Sequence, residues 1–148
     1  MADMYHMERD EWLAFVSHGT RTGKLATVRK DGSPHVAPIW FLIDTADDGD
    51  HIVFTTGADT VKGYAVKRDP RLSMVVDVEE PPFSFVQFQA EAVVSEDLDV
   101  MLGWATRLGA RYMGADQAEA FGKRNAVPGE LLIRARITKV VALAEIAD

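Results

Sequence analysis

Three threonines and a lysine crowd the run Thr55-Thr56-Gly57-Ala58-Asp59-Thr60-Val61-Lys62. Asp59 and Thr60 are both helix-capping residue types, so a helix is predicted from Thr60 to Arg68. Pro70 stops it, because the residue before a proline avoids the helical region. The start of such a helix offers unpaired backbone N–H groups and a partial positive charge, which together favour phosphate. Gly57 permits close backbone approach, Thr55, Thr56 and Thr60 add hydroxyls, and Lys62 adds a charge. The plainer alternative is a surface helix with solvated lysines. Lys67, Arg68 and Arg71 form a second basic group, which reads as a helix end complementing its dipole or as local ion pairs through Asp69.

Upstream, Pro34-His35-Val36-Ala37-Pro38-Ile39-Trp40-Phe41 is apolar and poor in side-chain donors. A ring stacked on this strand would use backbone N–H and C=O groups left free where Pro38 breaks the ladder. An ordinary core strand with an edge proline is the competing reading. An apolar, proline-interrupted strand beside a basic helix N-terminus suits a flat ring with a phosphate tail, as in a flavin or flavin-like coenzyme. Trp40 is either a stacking partner for that ring or a core tryptophan. His35 is either a proton donor or structural. His6, His18, His35 and His51 do not pair with carboxylates at metal-ligand spacing, so no metal site is indicated. No G-x-S-x-G, P-loop or G-x-G-x-x-G motif occurs. No catalytic side chain is assigned from the residues, and redox chemistry carried by a bound coenzyme is the better enzyme hypothesis.

The elements that must position these residues are mostly strands. Asp31-Gly32 is a hairpin signal between a strand at Lys24 to Arg29 and a partner at His35 to Asp44. Pro38 argues for an edge, a bulge or a split in the sheet. Asp44 to Asp50 reads as an acidic loop. His51 to Thr56, Arg71 to Val78 and Phe83 to Ser95 read as strands, and Leu131 to Leu143 as a final strand pair or one bent strand. In Phe83 to Ala90, Phe83, Phe85, Gln87 and Gln89 share one side, and Ser84, Val86, Phe88 and Ala90 the other. Glu8 to Ser17 is an amphipathic helix. Ser95 caps a long one, whose stripe is Leu98, Met101, Leu102, Ala105, Leu108 and Tyr112, and Gly114 separates it from a short piece over Ala115 to Arg124. About six strands with short connections favour a mainly β, antiparallel barrel with peripheral helices over a doubly wound sheet.

At 148 residues the chain is expected to form one domain, 1–148. Its net charge of −7 argues against general nucleic-acid binding. Without cysteine it has no disulfide, thiolate metal ligand or cysteine nucleophile, which fits the cytoplasm. No secretory h-region and no membrane-length apolar run occurs, so a soluble, cytoplasmic protein is expected.

The run from Leu25-Ala26-Thr27-Val28-Arg29-Lys30-Asp31-Gly32-Ser33 through Pro34-His35-Val36-Ala37-Pro38-Ile39-Trp40 resembles the opening of the pyridoxamine 5'-phosphate oxidase-like split-barrel proteins. Thr60-Val61-Lys62 followed by Lys67-Arg68-Asp69-Pro70-Arg71-Leu72-Ser73 resembles that family's second signature. The nearest group is the flavin/deazaflavin oxidoreductases of the F420-dependent, FDOR-B type. The resemblance implies a six-stranded antiparallel split β-barrel of the FMN-binding type, forming a homodimer with two coenzyme sites at its interface. The ring would lie against Val36, Ala37, Pro38, Ile39 and Trp40, and Thr55, Thr56, Thr60 and Lys62 would hold the phosphate. The partner subunit would close the site through the segment from Asp77 to Gln87.

The implied activity is hydride transfer from reduced coenzyme F420 to a small electron-poor acceptor. FMN in a flavin reductase or oxidase is the alternative, and a non-catalytic F420 or flavin carrier is the third reading. The chain ends Ala142-Leu143-Ala144-Glu145-Ile146-Ala147-Asp148 and lacks the Arg and His substrate motif of the true oxidases, so vitamin B6 oxidation is not expected. It also carries Ala65 where many relatives have asparagine, and Thr60 where some have arginine.

Overall fold

The computed structural model describes residues 3–147. Its elements are β1 (Tyr5–His6), α1 (Arg9–Ser17), β2 (Gly23–Val28), β3 (Pro34–Ile39), β4 (Leu42–Ala46), β5 (Gly49–Gly57), α2 (Val61–Arg68), β6 (Arg71–Asp77), β7 (Phe85–Ser95), α3 (Leu98–Met113), a 3-10 turn (Ala115–Gln117), α4 (Ala118–Asn125) and β8 (Glu130–Ala144). All strands join one antiparallel sheet in the order β3-β2-β6-β7-β8-β5-β4, with β1 added to β8.

The strand count corrects the expectation of six: the sheet has eight strands. It is also open rather than closed, since no ladder joins β3 to β4. The extended run at His35 to Asp44 is two strands, interrupted at Trp40-Phe41, and these lie at opposite ends of the sheet. The expected acidic loop is largely the end of β4, a two-residue turn at Asp47-Asp48 and the start of β5 at Gly49, where φ is +125°. The short β1 is the other addition. At the C-terminus a single bent strand forms, with an irregularity in its pairing with β7 at Gln89/Ala90.

The break at Trp40-Phe41 dictates the shape. Two residues cannot carry the chain more than about 11 Å between Ile39 and Leu42. The two edges of the sheet therefore stand close together, and the sheet curls around its core with a split between β3 and β4. Buried residues alternate along β2, β6 and the first half of β7, with Leu25, Leu72, Met74, Val76, Val86 and Phe88 pointing inward. Helix α1 adds Trp12 and Val16, and Trp12 meets Phe88 edge-on at 5.3 Å.

The helix caps follow from where the strands stop. Thr60 caps α2, its side chain accepting from the Gly63 N–H. At α3 the cap is Asp97 rather than Ser95, because β7 continues to Ser95, which pairs with Leu132. Asp97 accepts from the N–H groups of Asp99 and Val100. The α3 stripe buries Met101, Ala105 and Leu108, while Leu98 and Leu102 are exposed. A Cβ on Gly109 would lie 2.8 Å from Phe121, and one on Gly122 would lie 2.1 Å from Thr106, so α3 and α4 pack at close range. Among the described residues no helix is long and apolar enough to cross a membrane.

Candidate functional site

The split in the sheet opens into a cleft of about 360 Å³, within the usual range for small-molecule sites. The chain break supplies Pro38, Ile39 and Trp40, β5 supplies Thr55, Thr56 and Gly57, and α2 supplies Thr60 and Lys62. Seven of the nine sequence-predicted positions therefore converge here: Pro38, Ile39, Trp40, Thr55, Thr56, Thr60 and Lys62. Val36 and Ala37 do not line it. Four further lining residues escaped the sequence reading: Leu108 of α3, Phe121 and Asn125 of α4, and Glu130 at the head of β8. Leu108 read as an ordinary stripe residue, and nothing local marks the others, because the tertiary fold brings α4 and β8 to the split.

The proline strand works differently from the expectation. Gly32, at φ +87°, completes the hairpin turn, and the Arg29 N–H bonds to the Ser33 carbonyl at 2.9 Å. Ladder bonds alternate from that pair, so Pro34, Val36 and Pro38 face away from β2. Pro38 therefore breaks no ladder bond. The two prolines instead remove N–H groups from an edge, where strand prolines are tolerated. Val36, 67% exposed, keeps the outward N–H between them.

The opposite wall is a tightly built helix start. A Cβ on Gly63 would lie 2.2 Å from the Gly57 carbonyl oxygen, so α2 begins directly against the end of β5. The Thr60 hydroxyl donates to Gly57 O at 2.8 Å, accepts from Gly63 N at 3.1 Å and lies 3.1 Å from Thr56 Oγ1. Thr60 is thus occupied in capping. The N–H groups of Val61 and Lys62, in the first turn, are the donors left without an intrahelical partner. Lys62 forms no ion pair among the described residues. Ala65 is buried within α2 and does not line the cleft.

Trp40 is 41% exposed and its ring is already stacked: Tyr112 lies parallel at 4.9 Å and Phe121 tilted at 5.7 Å. Tyr112 is held in turn, its hydroxyl donating to Arg21 O at 2.8 Å and accepting from Phe41 N at 3.2 Å. Burial raises the phenol's pKa. Beside it, the Arg111 guanidinium donates to the carbonyls of Val16, Gly19 and Phe41 at 2.7–2.9 Å. These bonds fix the crossing between the sheet edges, and with it the apolar wall. Glu130 has its carboxyl pKa raised, first by burial and then by the charge of Asp59.

The remaining candidates lie elsewhere. His35 faces Thr27 across the β2–β3 ladder, and its Nδ1 and the Thr27 hydroxyl are buried without partners. Arg68 donates to Val28 O at 3.0 Å, Lys67 lies 3.8 Å from Glu96, and Arg71 pairs with Asp69 at 2.8 Å. That last pair holds the Asp69 carboxyl down at about 2. The second basic group is therefore a set of local contacts outside the cleft.

A family model described as Pyridoxamine 5'-phosphate oxidase matches residues 9–143, and the chain belongs to that family. None of the curated proteins matches. Among solved structures, a conserved hypothetical protein from Mycobacterium tuberculosis is 24% identical with a TM-score of 0.80, over 98% of this chain and 89% of that one. An F420 Reductase is 24% identical with a TM-score of 0.65, over 89% and 95% of the two chains. A FAD-binding protein from Mesorhizobium loti is 18% identical with a TM-score of 0.66, over 97% of each. At these identities the likeness is one of fold.

Proposed function

We propose that the chain is an oxidoreductase that uses coenzyme F420, transferring a hydride from the reduced deazaflavin to a small electron-poor acceptor. The observation that carries this reading is the cleft at the sheet split. One wall is apolar and aromatic, and the other ends in free N–H groups, hydroxyls and the Lys62 ammonium. That arrangement fits a flat ring joined to an anionic tail. Its similarity to the F420 Reductase fold supports the choice of coenzyme.

The bound, reduced coenzyme supplies the hydride. The protein binds, orients and shields it. Lys62 and the first N–H groups of α2 take the phosphate, as charge-assisted donors at a helix N-terminus. Ile39 and Trp40, held by Tyr112, set the plane of the ring. The outward carbonyl of Pro38, at the end of the same edge strand, is open to a polar contact from the ring.

A second copy of the chain completes the site in this reading. An open apolar hollow around Val75, Phe83, Phe85 and Ile146 lies on the Asp77–Gln87 side of the sheet and suits such a partner. Sedimentation at twice the chain mass would support the dimer, and a monomer at micromolar concentration would remove it. FMN in the same cleft is the second reading, favoured by the similarity to the FAD-binding protein.

Turnover separates an enzyme from a carrier. Reduced F420 is mixed with the protein and a panel of enones, quinones and nitro compounds, and coenzyme oxidation is followed by absorbance. Acceptor-dependent oxidation is expected. Binding without oxidation by any acceptor would leave a carrier in place of the enzyme.

A further inference from the structure

Glu130 is the one carboxylate among the described residues that line the cleft, and it stands at the end meant for an anion. It opens β8 directly opposite Gly57, whose carbonyl receives the Thr60 hydroxyl. The neighbouring Gly129 carbonyl accepts from the Ala58 N–H at 2.8 Å, which clamps the head of β8 to the loop before α2. Asp59, on that loop and outside the cleft lining, bears on its charge, and Lys62 of α2 lines the same cleft. α3 presents Leu108, and α4 presents Phe121 and Asn125. Of the basic residues of α4, Lys123 pairs with Glu119 at 2.8 Å, and Arg124 lies over the ring of the cleft-lining Phe121, 5.5 Å from its centroid.

With Glu130 ionised, its charge offsets that of Lys62 within the cleft lining, and Asp59 adds a second negative charge outside it. With Glu130 protonated, Lys62 is the one charged side chain among the described residues lining the cleft, and it acts with the free N–H groups of α2 to favour an anion. We infer that Glu130 gates the anionic end of the cleft: a phosphate-bearing ligand seats on Lys62 and the α2 N-terminus with Glu130 protonated, so binding takes up a proton at any pH where Glu130 is ionised in the free protein. Burial and Asp59 already favour the protonated form before the ligand arrives. An incoming phosphate favours it further. The inference rests on the coenzyme reading of the cleft and adds to it a pH-dependent selectivity residue.

The test is the dissociation constant of FMN and of F420, measured by fluorescence titration from pH 5 to pH 8 on the wild type and on Glu130→Gln. The FMN phosphate itself titrates near pH 6, so the two proteins are compared at each pH rather than the wild-type curve being read alone. Protonation stabilises the complex, so affinity is lost as pH rises through the Glu130 pKa. The wild type is expected to weaken relative to the variant by up to about tenfold per pH unit, the limit for one linked proton. Glu130→Gln is expected to bind more tightly than the wild type at pH 8, with the difference shrinking as pH falls. A ratio that is flat with pH, or a variant that binds more weakly throughout, would overturn the inference and make Glu130 a spectator or an acceptor for a ligand hydroxyl. If neither coenzyme binds the wild type at any pH, the coenzyme reading falls, and the role of Glu130 with it.

Discussion

Lys62 and Thr60 are two positions apart, yet the structure gives them different work. The Thr60 hydroxyl is consumed by Gly57 O and Gly63 N, whereas Lys62 has no ion-pair partner among the described residues and lines the cleft. Lys62→Ala is therefore expected to weaken coenzyme binding by about 1–3 kcal/mol, the range for a hydrogen bond to a charged group. Isothermal titration against F420 measures it, and an unchanged affinity would return Lys62 to the solvated helix face. The sequence pointed to both residues because cap chemistry and a nearby cation are local patterns. It could not separate cap from ligand donor, since that depends on how closely Gly57 and Gly63 approach. Trp40 shows the same limit. Its place beside the cleft was legible, but its stacking partner is Tyr112, which is 72 residues away in the chain.

At the scale of elements, the hairpin, the basic helix and the strands flanking it were readable because each has a local signal: Asp31-Gly32, the Thr60 cap with Pro70, and alternation in β6 and β7. The split was only half readable. Pro38 marked an edge, but the break falls at Trp40-Phe41, where no breaker residue stands and the cause is the arrangement of the whole sheet. Glu130, Phe121 and Asn125 were illegible for the same reason. The contact between α2 and β5 is the element-level feature most open to test. Gly63→Ala would drive a methyl into the Gly57 carbonyl and push the helix start off the strand. A loss of about 1–3 kcal/mol in urea denaturation is expected, as for overpacking in a close-packed site. A weaker grip on the coenzyme should accompany it. Full stability and affinity in the variant would show that the close approach does not hold the site.

Across the whole molecule, one connection organises the function. A two-residue crossing between β3 and β4 brings the ends of an eight-stranded sheet together and leaves a cleft between them. The core closes the rest of the curl, and α3 and α4 roof the gap with Leu108 and Phe121. The chain belongs to the Pyridoxamine 5'-phosphate oxidase family over residues 9–143 and shares the fold of an F420 Reductase. The most direct test is a fluorescence titration of the purified protein with F420 and, separately, with FMN. Saturable binding of F420, tighter than that of FMN, is the expected result. Tight FMN with no F420 binding would contradict the coenzyme assignment, and binding of neither would contradict the cleft itself as a coenzyme site.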